Sequence, residues 1–227
     1  MAFLVSRYWP RRGAGLPPGQ RLLEVMPRFT DLPHLPPPKM PALPRLEIQI
    51  EGKTIAVVTA TELDALRPRE CRADFHCVTT WSVKDLVWTG VPLREVLASC
   101  GIVDAPAPYL VARAGDRRKA VFLWEDAIAD DVILATHLDG APLGDRHGAP
   151  LRLVSPSQYG YKSVKHLVAI DFRADKPRNM SKEHLRARVA LEERHPRLPS
   201  WLLRLPYRLM IAPTAFVAER SLQRGRG

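Results

Sequence analysis

Asp74-Phe75-His76-Cys77-Val78-Thr79-Thr80-Trp81-Ser82, continued by Val87-Trp88-Thr89-Gly90-Val91-Pro92-Leu93, organises the reading of this chain. Phe75, Cys77 and Val78 stand in a short apolar, β-branched run, which predicts a strand over residues 72–78 delivering Cys77 near its end. Thr79, Thr80 and Ser82 are small hydroxyl residues, suited to a turn whose backbone and side chains meet a polar ligand. Gly90-Val91-Pro92 predicts a second turn, with Pro92 opening a helix to Ser99. A cysteine so presented is a candidate soft ligand or nucleophile, since the thiolate does either job. On spacing alone, a small buried hydrophobe is the stronger reading of Cys77.

Composition narrows the classes. The chain has 227 residues, enough for a substantial single core, and 46% are hydrophobic. Cys71, Cys77 and Cys100 form no disulfide-like framework, so a reducing compartment is expected. The net charge of +10 is uneven. From residue 173 onward there are 13 Lys or Arg against 5 Asp or Glu, a net of +8; the preceding 172 residues carry 21 against 19, a net of +2. A near-neutral body without zinc-finger or RNA-binding signatures argues against nucleic-acid readout. Arg11-Arg12 is followed by no apolar stretch, the opening Phe3-Leu4-Val5 patch is too short for a signal core, and no run reaches transmembrane length. A cytoplasmic location is the expectation.

The order of elements predicts three regions. Residues 1–45 are a proline-rich arm. Residues 46–172 are an α+β domain: a hairpin of 46–50 and 54–58 around Glu51-Gly52-Lys53, a short helix 61–66, the cysteine strand and turn, a hairpin of 109–113 and 120–124, a short helix 125–129, and strands 132–138, 151–154 and 168–172. Residues 173–227 are a basic arm. There a helix is expected from Lys182 to about Glu193, and an arginine-studded apolar stretch from Trp201 to Ile211 broken by Pro206. Thr214 would cap a last helix to Arg220.

The cysteine stretch resembles the molybdenum-ligating segment of the sulfite oxidase-type molybdopterin family. A second stretch resembles it too: His147-Gly148-Ala149-Pro150-Leu151-Arg152-Leu153-Val154-Ser155-Pro156, then Tyr159-Gly160-Tyr161-Lys162-Ser163-Val164-Lys165. Leu16-Pro17-Pro18-Gly19-Gln20 is a fainter echo. The resemblance covers about residues 43–172 and implies the family's fold, mixed sheets with short helices. It further implies a molybdenum–pyranopterin cofactor with Cys77 as the catalytic metal ligand. His147, Arg152, Ser163, Val164 and Lys165 match pterin-contacting positions, and the amino-terminal arm would lie over the cofactor. A pterin ending in a phosphate or nucleotide calls for fixed cations and exposed backbone groups; Arg152, Lys162 and Lys165 supply charge, and Gly160 permits close approach.

His76 is expected on the opposite face of its strand from Cys77. Zinc bound by Cys71, His76 and Cys77 lacks the usual spacing. In animal and plant sulfite oxidases Ala-Gly-Asn-Arg-Arg follows the ligand cysteine, where this chain has Val78-Thr79-Thr80-Trp81-Ser82. The family tyrosine in a Leu-Ala-Tyr run is matched by Thr136 after Leu134-Ala135. Neither a haem module nor a dimerisation domain is expected in this length. The resemblance therefore implies oxygen-atom transfer on a small or sulfoxide-type substrate, with electrons from a separate partner. The alternative is a non-enzymatic binding module docking an anionic surface or partner through its basic arm. For that arm, packing on the body competes with contact to a membrane or partner.

Overall fold

In the computed structural model, residues 10–30, 33–177 and 184–224 are described. They form β1 (Arg21–Leu22), β2 (Arg45–Ile50), β3 (Lys53–Thr59), α1 (Ala60–Ala65), β4 (Arg69–His76), β5 (Trp81–Pro92), α2 (Leu93–Ser99) and β6 (Tyr109–Ala114). After these come β7 (Lys119–Leu123), α3 (Trp124–Ala127), β8 (Ile133–Leu138), β9 (Ala141–Pro142), β10 (Arg152–Val154), β11 (Leu167–Arg173) and α4 (Ser200–Arg224).

Two sheets share these strands. The first runs β3-β2-β11-β6-β7, with β11 parallel to β2 and antiparallel to β6. Its first hairpin turns on Glu51 and Gly52, both left-handed at φ 49° and 78°, the backbone that matches the twist of paired strands. Buried Asp171 on β11 accepts from the Gly52 amide at 2.9 Å and pins that turn. The second sheet runs β1-β5-β8-β10, with β4 also on β5 and β9 on β8. Leu46, Ile48, Val96, Leu97, Phe122 and Ile170 belong to one buried cluster; Phe75, Trp81, Trp88, Ile133 and Ile211 belong to a second. Each such aliphatic side chain withdrawn from water contributes about 1.5–3 kcal/mol.

α1 starts at Thr59, whose amide and hydroxyl both donate to Glu62 Oε2, at 2.6 and 2.8 Å. Pro92 is the residue before α2, with φ −54° and ψ 134°, one place earlier than expected. Gly90-Val91-Pro92 is no turn: it completes β5 against Ala135, Leu134 and Ile133. Glycine is needed there because a Cβ on Gly90 would run into the Leu134 carbonyl.

The carboxy-terminal expectations need two corrections. Lys182 and Glu183 of the expected helix over residues 182–193 lie outside the described residues, and 184–193 is a chain of turns. Its amides and carbonyls serve a loop instead of a helical ladder. Tyr159 N–H donates to Ala187 O at 3.0 Å, Val189 N–H to Ser157 O at 3.1 Å, and Ala187 and Glu192 take φ of 54° and 55°.

The second correction concerns the break at Pro206. α4 runs unbroken for 25 residues through Pro206 and Pro213, so the helices are not all short. Each proline removes the amide that would pair the carbonyl four residues back, on Leu202 and Leu209. Those residues are 47% and 70% exposed, so water can serve the carbonyls.

Candidate functional site

Cys77 leaves β4 and enters a tight loop that returns as β5. Its amide donates to Trp81 O at 2.7 Å, its carbonyl accepts from Thr80 N–H at 3.0 Å, and Thr80 takes φ 77° to make the return. The thiol is 7% exposed, with Sγ 3.2 Å from Thr79 Oγ1.

The amino-terminal arm braces this loop. β1 lies parallel to the start of β5, and the Arg21 amide donates to Thr80 O at 2.8 Å. Buried Gln20 donates through Nε2 to Cys77 O at 3.2 Å and accepts from Ser82 Oγ at 3.0 Å. Ser82 Oγ also stands 2.8 Å from His76 Nδ1. His76 is therefore engaged behind the loop, and burial lowers its imidazole pKa.

The thiol faces a cleft of about 140 Å³, roughly ten times the space that seats one water. One wall is Phe75, Cys77, Val78, Thr79 and Trp81; a second is Gly160, Tyr161, Ser163, Val164 and Lys165. Ala114, Arg118 and Lys119, at the β6–β7 turn, close one side, and Met26, Pro27, Phe29 and Thr30 of the arm lie over another. The two motif walls meet through the backbone: the Gly160 amide donates to His76 O at 2.7 Å. A Cβ on Gly160 would penetrate the Phe75 ring, so the wall needs glycine here.

Lys165 Nζ donates to Arg146 O at 2.9 Å. Burial pushes its ammonium pKa well down, and the nearby Arg152, Arg118 and Arg28 push the same way, while Cys77 opposes them. Arg118 is bidentate to Asp116 Oδ2, through Nε at 2.9 Å and Nη2 at 2.8 Å. Burial alone would raise the Asp116 carboxyl pKa, but the contacts with Arg118 lower it. The cleft thus has a cationic side made by Arg118, Lys119 and Lys165, of which Arg118 is matched by Asp116.

The expected residues divide into two groups. Cys77, Ser163, Val164 and Lys165 line the cleft. His147 and Arg152 stand behind it. Arg152 is fully buried, 4.7 Å from the Trp88 ring centre and 5.7 Å from that of Phe75, and donates to His147 O at 2.9 Å and Ser163 O at 3.2 Å. Burial pushes its pKa down to about 9. Burial, then Lys165, Arg152 and Arg146, lowers His147 to about 3, and its buried Nδ1 has no hydrogen-bond partner among the described residues.

Lys162, also read as a cofactor cation, is fully buried and donates to the carbonyls of Val121 and Leu185. Thr136 lines a separate hollow with Asp64 and Leu143, away from the thiol.

Local sequence does not point to several contributors: Arg118 and Lys119 stand in a charged turn between two strands, and Tyr161 stands beside a turn glycine. Buried Arg194 donates to Val78 O beside the cysteine loop and lies 4.9 Å from the Tyr159 ring centre. No local pattern announces Arg194, since its partner is far away in sequence.

Comparison with known proteins adds four findings. The family profile described as oxidoreductase molybdopterin binding domain matches residues 34–181. An uncharacterised oxidoreductase, YuiH, of Bacillus subtilis is 37% identical over 103 residues, covering 45% of this chain and 52% of that protein. The protein-methionine-sulfoxide reductase catalytic subunit MsrP of Xanthomonas axonopodis pv. citri is 37% identical over 113 residues, covering 43% of this chain and 34% of that protein. The chain thus spans about half the length of the first relative and a third of the second. The sulfane dehydrogenase SoxCD of Paracoccus pantotrophus shares the fold, with a TM-score of 0.53 at 24% identity over 61% of this chain and 40% of that one.

Proposed function

The chain belongs to the oxidoreductase molybdopterin-binding domain family, and from that premise we propose a molybdenum-dependent oxidoreductase acting on a small or sulfoxide-type substrate. One observation carries the reading most directly. The Cys77 thiol faces a cleft whose opposite wall is the second motif, and the Gly160–His76 hydrogen bond locks the two walls together.

The donor set fits the cofactor. A soft thiol at a cleft wall suits molybdenum. Lys165, Arg118 and Lys119 offer cations for a terminal phosphate, and the loop of Gly160 to Lys165 offers backbone groups and the Ser163 hydroxyl for a pterin ring. When bound, the cofactor supplies oxygen-atom transfer coupled to metal redox change.

The protein's part is to hold and shield. Cys77 would ligate the metal, with Thr79 Oγ1 at 3.2 Å placed to hydrogen-bond the sulfur. Arg152 acts at one remove, fixing the carbonyls of His147 and Ser163 so that the second wall keeps its shape. Phe75, Trp81, Met26 and Phe29 make the cleft apolar over the thiol and limit water.

A sulfoxide-type substrate is supported by the name of the MsrP relative and by this apolar wall. Electrons would come from a separate redox protein. The three free thiols support a cytoplasmic setting, which cell fractionation would test. The binding-module alternative has less support, because the family match covers the whole cysteine-bearing domain.

The test is metal and pterin analysis of purified protein, followed by reduction of methionine sulfoxide with a reduced viologen dye. About one molybdenum per chain and dye oxidation dependent on sulfoxide are expected. Protein folded and expressed with cofactor supply yet free of molybdenum would overturn the assignment.

A further inference from the structure

α4 is apolar on two opposed stripes. Ile211, Ala215, Ala218 and Leu222 follow helical spacing and are buried against the body. On the other side Trp201, Leu205 and Leu209 are 65%, 65% and 70% exposed, joined by Leu202, Met210 and Val217. From Trp201 to Val217 this stripe is about 24 Å long. A helix apolar all round belongs in a core or against lipid, and only one side of α4 has a core.

We propose that the outer stripe of α4 rests on an anionic phospholipid surface, so that this domain is a peripheral membrane protein. Three observations select that occupant. The first is charge. α4 carries four arginines against a single acidic residue, Glu219, which is paired with Arg146 at 2.5 Å. Burial, then Arg21, Arg204 and Arg194, lowers the pKa of Arg208 against the opposing Glu192, which itself pairs with Arg204 at 2.6 Å. Exposed Arg197 and Arg220 lie near the two ends of the stripe, with Arg220 5.2 Å from the Phe216 ring centre.

Second, this cationic field makes a second copy a poor occupant. Two such faces brought together would repel, whereas an anionic surface gains from each cation near it.

Third, the exposed stripe is aliphatic and aromatic, with an indole near one end, and offers few polar groups with which to read a particular protein surface. That combination of apolar face, Trp and arginine is what an interfacial helix needs. Among the described residues no helix is long and apolar enough to cross a membrane, so α4 would lie on the surface.

The experiment is co-sedimentation of the full chain with vesicles of phosphatidylcholine alone or mixed with phosphatidylglycerol, at low and high salt. Wild-type protein should sediment with the anionic vesicles, release with salt, and ignore the neutral ones. Tryptophan fluorescence should shift to the blue on binding, and W201F should remove that shift while leaving the emission of the other four tryptophans. The variant L205E/L209E changes two solvent-facing positions, so its thermal unfolding should match wild type while its partitioning falls about tenfold or more. No binding of wild type to anionic vesicles at low salt would overturn the proposal. So would binding that persists in L205E/L209E, or a wild-type dimer in sedimentation equilibrium that this variant dissolves without any vesicle binding.

Discussion

The amide of Gly160 donates to the carbonyl of His76 at 2.7 Å, one residue before the Cys77 loop. Two stretches far apart in sequence thereby share one backbone junction, and the cleft between them inherits its width from it. Gly160→Ala would place a methyl group inside the Phe75 ring, forcing the ring or the loop to move. A loss of about 1–3 kcal/mol is expected in urea unfolding, with lowered pterin content in the folded fraction. Wild-type stability and pterin content together would show that the junction is slack.

Cys77→Ser exchanges a soft thiolate for a poorly acidic hydroxyl at a nearly isosteric position. Sulfoxide-dependent dye oxidation should fall at least about a hundredfold, while the melting temperature of the cofactor-free protein changes by only a few degrees. Full turnover at equal cofactor loading would remove Cys77 from the metal.

Lys165→Ala and Arg152→Ala should separate by phenotype. Lys165 lines the cleft, so its removal should lower pterin retention with little effect on the unfolding of the cofactor-free chain. Arg152 is fully buried between two aromatic rings and serves two carbonyls, so its loss should cost about 2 kcal/mol or more even without cofactor. Equal apo stabilities of the two variants would contradict this division.

The buried histidines predict acid sensitivity. His147 is held near a pKa of about 3, below its ordinary 6.5, chiefly by burial. Burial lowers His166 as well, against the opposing hydrogen bond between its Nδ1 and Ala149 O. The unfolded chain takes up these protons first, so their stabilisation is complete above pH 6.5 and is lost as pH falls below it, for His147 down to about 3. Each contributes a slope of at most about 1.4 kcal/mol per pH unit. Thermal unfolding of the cofactor-free protein between pH 7 and 4 should show it, and His147→Gln should flatten the dependence. An unchanged slope in that variant would assign the effect elsewhere.

Local signals were legible and distant ones were not. Alternation around Glu51-Gly52 and the polar turn at Gly115 to Lys119 announced two hairpins, because turn geometry is written in adjacent residues. The two motif stretches announced the cleft walls. By contrast, nothing near Arg152 distinguishes a cation facing a ligand from one buried between Phe75 and Trp88, since both rings come from β4 and β5. Gln20 and Arg194 meet the cysteine loop only through tertiary contacts. Pro206 read as a break because local sterics oppose it, but the exposed side of α4 lets solvent take the freed carbonyl.

β1 can pair only after β5 exists, and Arg28 of the same arm hydrogen-bonds Ser221 near the far end of α4. Neither terminus can settle before the middle has folded. The other strands of the two sheets are therefore expected to form first and the arm to close over the cleft afterwards, leaving an interval when the thiol side stands open for a bulky cofactor to enter. Pulse-labelled hydrogen exchange should find the amides of Arg21 and Leu23 protected later than those of β11. Late protection of β11 would reverse the order.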